Sequence, residues 1–333
     1  MKDLIKKLVE AWGPSGYEHH VRKIIQDEVA DLADEITVDP LGNLICRVGE
    51  GGPKVMVATH MDEIGLMATF VEKKTGYLRF SQIGGLNTTT LNGNRVRFED
   101  GTVGVIAAHD PWTAQTELED FYIDVSDGNG NTLVQPGSPA AFFRPMEERG
   151  TRLIAKSMDD RIACAIAIET MRNLKKTKKK KLPNEVYFAF TVQEEVGLRG
   201  ARPAAYNIDP DVGVALDVTN TGDMLKNAKM AVTLGGGAAI KIHDPGLVVP
   251  PAVRDWMVNR AEADGIPYQL ELLPGGTTDA SGIQAARAGV PSGCISIPCR
   301  YVHTNSETVD IRDVEACVAL LTGLLSNPAP FGK

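Results

Sequence analysis

A chain of 333 residues with 43% apolar and 23% charged side chains has the composition of a globular protein, long enough for one large domain or two ordinary ones. A net charge of −8 argues against nucleic acid as the main partner, and no apolar run approaches the ~20 residues that span a bilayer, so no membrane partner is expected. Five scattered cysteines with no C-x-x-C pair, and an N-terminus without an apolar leader core, predict a reduced, cytoplasmic protein with no signal peptide.

Apolar residues at helical spacing (Leu4, Leu8; Val21, Ile24, Ile25, Val29) predict helices over 3–11 and 18–33, broken by Gly-Pro-Ser-Gly at 13–16. Strands follow at 36–38 and 44–48, then at 54–59, which delivers His60 at its end. From about 68 to 150 the pattern changes to short β runs (76–81, 94–98, 101–107, 121–125) among Gly, Asn and Asp turns, as in a small β-barrel or sandwich. After 157 the strand and helix alternation resumes. Helices are expected at 160–174, 199–206, 252–264, 279–288 and 312–325, and strands at 185–191, 212–218, 230–234, 238–242, 268–272 and 292–297. The lysine block 178–181 reads as a solvated helix end and loop. The simplest architecture is an α/β domain interrupted by an inserted β domain.

Ligand-type residues gather at the ends of the apolar strands. His60 and Asp62 lie two apart, so in extended backbone they share a side. An imidazole there can bind a metal while the carboxylate accepts its other ring N–H. Taken alone, this pair is more often a structural histidine. Its place after an apolar strand, at the carboxyl end of a parallel sheet, favours a ligand site. Asp159-Asp160-Arg161 precedes an apolar helix; an N-cap explains one aspartate and leaves one carboxylate to bridge two metals. Glu194-Glu195 ends a buried-looking strand, and both can serve one site only if the chain turns there, which Val196-Gly197 allows. Asp217 ends another apolar strand, where a charge is costly unless exposed, paired or metal-bound, and His303 follows a third. Together they suffice to hold two metal ions with one carboxylate left over to activate water. His19, His20, His109 and His243 lack such context and read as surface or structural.

No G-x-S-x-G elbow supports serine hydrolysis, and no G-x-G-x-x-G opens a helix after a strand. Gly-Gly-Gly at 235–237 and Gly-Gly-Thr-Thr-Asp-Ala at 275–280 lack a P-loop lysine. They read as loops where backbone approaches a ligand or a neighbouring subunit.

The joint pattern resembles the tetrahedral (TET) metalloaminopeptidases, which include the glutamyl and deblocking aminopeptidases and some members with a cellulase label. It includes Gly-Pro-Ser-Gly-Tyr-Glu (13–18), His-Met-Asp-Glu-Ile-Gly (60–65), Met-Asp-Asp-Arg (158–161), Gln-Glu-Glu-Val-Gly-Leu-Arg-Gly-Ala (193–201), Leu-Asp-Val (216–218), Gly-Gly-Thr-Thr-Asp-Ala (275–280) and Ile-Pro-Cys-Arg-Tyr-Val-His (297–303). The resemblance implies a mixed-sheet α/β/α exopeptidase domain, residues 1–67 and 151–333, with an inserted small β-barrel dimerisation domain at 68–150. It implies that Asp159 bridges two divalent ions, zinc or cobalt. Glu195 and His303 complete one metal site, and His60 and Asp217 the other. Asp62 orients His60, Glu194 is the general base, and the Asp159–Asp160 bond is cis. The expected activity is removal of N-terminal residues from short peptides, by subunits that pair into dimers and build a tetrahedral homododecamer. The alternatives are a metal-dependent deacylase or carboxypeptidase on the same fold, and a glycosidase using Glu194 and Glu195. Phe142, Phe143 and Met146 are either assembly surface or core of the small domain.

Overall fold

The computed structural model describes all residues except 110–111, 114, 128–133, 177–180, 226–228 and 333, so Lys178, Lys179 and Lys180 of the lysine block lie outside the described residues. Four strands run parallel at the centre of a mixed sheet, in the order Glu185–Thr191, Lys54–His60, Val212–Thr219, Ser292–Arg300. They are almost continuously buried, as strands covered on both faces must be. Leu44–Val48 and Glu35–Val38 extend the sheet antiparallel on one side. On the other side it forks at Ser292–Arg300. One branch passes through Glu307–Asp310 to Arg152–Ala155 and Glu147–Arg149, and the other through Ala238–Asp244 to Tyr268–Leu272 and Leu247–Val248.

Helices cover both faces. Met158–Lys176 is apolar nearly all round and packs on the sheet and against helices Lys2–Val9 and Ile311–Ser326. Ala201–Ile208 and Asp279–Gln284 cover the opposite face, with Ala201, Ala204, Ala205 and Ile283 against Met56 and Ala58. This is an α/β/α layer, as expected.

The inserted segment closes on itself. Strands Gly65–Val71, Leu78–Ile83, Phe121–Asp124, Val103–Ala108, Arg95–Phe98 and Pro139–Phe142 form a six-stranded barrel, the last pairing with the first. Closure leaves no free edge. Leu66, Phe80, Val96, Phe98, Phe121 and Phe142 fill its core; burying each such side chain contributes roughly 1.5–3 kcal/mol. Phe142 is therefore core. Phe143 lies under the guanidinium groups of Arg95 and Arg97, at 5.5 and 4.9 Å, and Met146 packs on the large core.

The segment 230–234 is not a strand. Its backbone groups go elsewhere: Thr233 N–H donates to Gln269 Oε1, Leu234 N–H to Asp223 Oδ2, and Val232 C=O accepts from Gly222. Conversely, Glu307–Asp310 is a buried strand that hydrophobic patterning misses, because its side chains serve a polar network. The helix expected at 279–288 stops at Gln284, and Arg287 takes φ 52°.

Candidate metal centre

The carboxyl ends of the parallel strands converge on one cavity of about 420 Å³, lined by Asp159, Glu194, Glu195, Asp217 and His303 among others. His60 ends its strand in register with Thr191, the last residue of the neighbouring strand. Its Nε2 lies 3.0 Å from Asp159 Oδ1. The other oxygen of Asp159 lies 3.3 Å from His303 Nε2, which is itself 3.1 Å from Glu195 Oε2. Asp159 thus stands between two imidazoles. The Asp159–Asp160 peptide bond is cis, and the regular helix begins after it.

Asp62 does more than face a ring. Its Oδ1 is 3.4 Å from His60 Nδ1, which also lies 3.2 Å from the Asp62 carbonyl oxygen. The same carboxylate accepts from Ser15 Oγ at 2.6 Å and from the backbone N–H groups of Glu194 and Glu195 at 3.0 and 3.2 Å. One buried side chain therefore holds both the histidine and the glutamate corner. The chain turns at that corner as Gln193 takes φ 55° and Gly197 φ 116°.

Three further groups belong to the centre, and patterning alone did not find them. Glu307 accepts from the Asp159 and His303 backbone N–H groups at 3.0 and 2.8 Å. Asp160 accepts from Thr59 Oγ1 at 2.8 Å and from His60 N–H at 3.1 Å. Asp279 accepts from Thr191 Oγ1 at 2.5 Å. The signal for Asp279 was the Gly-Gly-Thr-Thr-Asp-Ala segment: Gly275, Gly276, Thr277 and Thr278 line the cavity, as expected of a loop beside a ligand. Gly-Gly-Gly at 235–237 instead clamps Asp313, to which Gly235 and Gly237 donate at 2.7 Å.

The electrostatics ask for cations. Burial pushes the carboxyl groups of Glu194, Asp217 and Asp160 well above the usual range, and mutual repulsion adds to it. Burial also raises Glu195, beside Asp159. Burial opposes the charge on His60, yet hydrogen bonds to Asp159 and Asp62 raise its pKa well above the ordinary imidazole value. Glu195 Oε1 and Asp160 Oδ1 are buried without a hydrogen-bond partner. Ligand atoms of His60, Asp159 and Glu195 lie within 4.8 Å of one another, as do those of Asp159, Asp160 and Asp217. The donors are imidazole nitrogens and carboxylate oxygens, a set that divalent ions accept, so the residues fit a metal centre. The two groupings share Asp159. They do not separate the ligands into the two sets that the resemblance implies.

The sequence model of the M42 glutamyl aminopeptidase family matches residues 42–320. The chain belongs to this family. It is 36% identical to the lysyl aminopeptidase of Pyrococcus furiosus over 99% of this chain and 98% of that protein. The fold matches an aminopeptidase from the archaeon Desulfurococcus kamchatkensis with a TM-score of 0.90 and 38% identity, over 98% of this chain and 95% of that one. It also matches the TET1 peptidase of Pyrococcus horikoshii, which can assemble into a tetrahedron or a large octahedral shell, with a TM-score of 0.85 and 33% identity over 97% and 98% of the two chains. This M42 member is a peptide hydrolase of the aminopeptidase class. The glycosidase and carboxypeptidase readings lose their support.

His109 and His243 are exposed, as expected. His19 and His20, also exposed, converge on Glu99. Among the described residues no helix is long and apolar enough to cross a membrane.

Proposed function

We propose that the chain is a co-catalytic, two-metal aminopeptidase that takes short peptides. Asp159 would be shared by two divalent ions, zinc or cobalt, with Glu195 and His303 holding one and His60 and Asp217 the other. The observation that carries this reading is Asp159, with one carboxylate oxygen turned to His60 and the other to His303. Such ions, when bound, polarise a carbonyl and lower the pKa of water. Glu194 lines the cavity with its backbone held by Asp62, a position that suits a group that takes a proton from water and returns it to the leaving amine. Asp62 orients His60 and fixes the glutamate corner. A free α-ammonium at the carboxylate-rich end of the cavity registers the substrate by its terminus. Exhaustive chelation should abolish hydrolysis of aminoacyl anilides, and zinc or cobalt should restore it. Full activity in metal-free protein refutes the proposal.

The substrate's first side chain meets neutral walls. Beyond the ligand-type residues, the cavity is lined by Leu198, Val218, Leu273 and Val302, with Thr219, Asn220, Thr277, Thr278 and three glycines. With His303 assigned to metal, no lysine or arginine among the described lining residues awaits an acidic side chain, and a buried charge without a partner is costly. Leucyl or methionyl anilides should exceed glutamyl anilide in kcat/KM by more than about tenfold. Equal rates overturn this preference and leave the chemistry standing.

Residues 68–150 are proposed as the assembly domain and residues 1–67 with 151–333 as the catalytic domain, with the edges adjusted to the strands: the barrel itself runs from Gly65 to Phe142, and Glu147–Arg149 pairs in the large sheet. The barrel's exposed Phe70, Val103 and Val105 support pairing of subunits, and the shells formed by the Pyrococcus horikoshii relative support growth to a homododecamer. Five free, buried cysteines suit a cytoplasmic setting.

A further inference from the structure

We infer that His19, His20 and Glu99 form a second divalent-cation site, on the outer surface, that ties the catalytic layer to the barrel. His19 and His20 open the helix His19–Val29, and Glu99 follows the barrel strand Arg95–Phe98. The two Nε2 atoms lie 2.9 and 3.3 Å from the same oxygen, Glu99 Oε1. One ligand atom from each of the three residues lies within 4.8 Å of the others. In a tetrahedral zinc site with bonds of about 2.0–2.1 Å, neighbouring donors sit about 3.3 Å apart. The trio needs only a small expansion to reach that spacing. Two imidazoles and a carboxylate suit zinc, nickel or copper, with water completing the shell.

Both sides of the site are held before any ion arrives. Trp12, only 7% exposed, meets the His19 and His20 rings edge-on at 6.4 and 5.7 Å between centroids. Its indole N–H donates to Arg97 C=O at 2.9 Å, two residues before Glu99. Glu99 itself sits in a tight hairpin in which Phe98 N–H donates to Thr102 C=O at 2.8 Å and Gly101 N–H to Phe98 C=O at 3.0 Å. The three side chains are 45%, 52% and 44% exposed, so an ion reaches them from solvent. None of them lines the catalytic cavity. A cation here would join two lobes that are distant in sequence, and binding only the docked arrangement stabilises it.

The test uses the full-length protein with its catalytic centre already loaded. Titration with zinc should add one ion per subunit in the parent and none in the His19→Ala/His20→Ala double variant. Titration with copper(II) should quench Trp12 emission in the parent and leave the double variant's emission unchanged. Glu99→Gln, which exchanges an anionic ligand for a neutral amide, should weaken the added ion about tenfold or more. Peptidase activity should be the same in all three proteins. Equal ion counts and equal quenching in parent and double variant would overturn the inference, leaving a hydrogen-bonded surface trio.

Discussion

Glu194 and Glu195 are neighbours in sequence with different surroundings. Glu195 Oε2 faces His303 at 3.1 Å, whereas Glu194 is raised by burial and by repulsion from Asp217, Asp279 and Glu195. Their exchange with glutamine should therefore have different effects. Glu194→Gln should cut the rate ~10²–10⁴-fold with metal content little changed. Glu195→Gln should lose metal first. Equal metal loss in the two variants would refute this division of roles. Glu307 offers a second contrast, since it touches backbone on both Asp159 and His303. An amide has one acceptor oxygen, so Glu307→Gln leaves one of those N–H groups facing an NH₂. Metal affinity, measured by competition with a chelator, should fall about 10–100-fold. Unchanged affinity would make Glu307 a packing residue only.

At the scale of elements, the barrel is part of the metal centre's wall. Its turn after Leu78–Ile83 places Gly84 and Gly85 against the ligands. A Cβ on Gly84 would meet Glu195 Cβ at 3.2 Å, and one on Gly85 would meet His303 Nδ1 at 2.9 Å. Gly85→Ala should push His303 aside and weaken metal binding while the barrel stays folded. Circular dichroism and a metal titration separate the two effects, and full metal affinity would mean the imidazole yields without cost. This contact is invisible in sequence, because a glycine pair in a β-rich insert reads as a turn. His60, Asp217 and Glu195 were legible because each follows a long apolar strand, where a polar residue stands out. Glu307 was not legible, because Glu-Thr-Val-Asp has no alternation and its strand is specified by hydrogen bonds to its side chains. The segment 230–234 misled for the opposite reason: its apolar residues suit a strand, but side chains of Gln269 and Asp223 take its backbone groups.

At the scale of the whole molecule, assembly should follow from what the barrel leaves uncovered. Phe142 is spent on its core, and Phe143 is covered by two arginines. The surface instead carries Phe70, 51% exposed and sharing a cleft with the stacked Tyr77 and Tyr122 rings, 4.7 Å apart, and, three strands further round the barrel, Val103 at 44% and Val105 at 42% exposure. Exposed apolar surface grouped around Phe70, Tyr77 and Tyr122 marks an interaction surface. A charge placed there must lose its hydration when subunits meet, so a Phe70→Glu/Val105→Glu variant should stay as small species. Light scattering of the parent should give a mass near twelve subunits, or two if growth stops at the pair. The cavity that holds Asp159 lies in the α/β layer, so the variant should still cleave short anilides at the parental rate. The two forms should differ on large substrates: an enclosed particle excludes a folded protein with a free N-terminus, and the small species does not. A parent that is monomeric at micromolar concentration, or one that trims folded proteins as readily as its variant, would rule out the enclosed assembly and leave the metal chemistry intact.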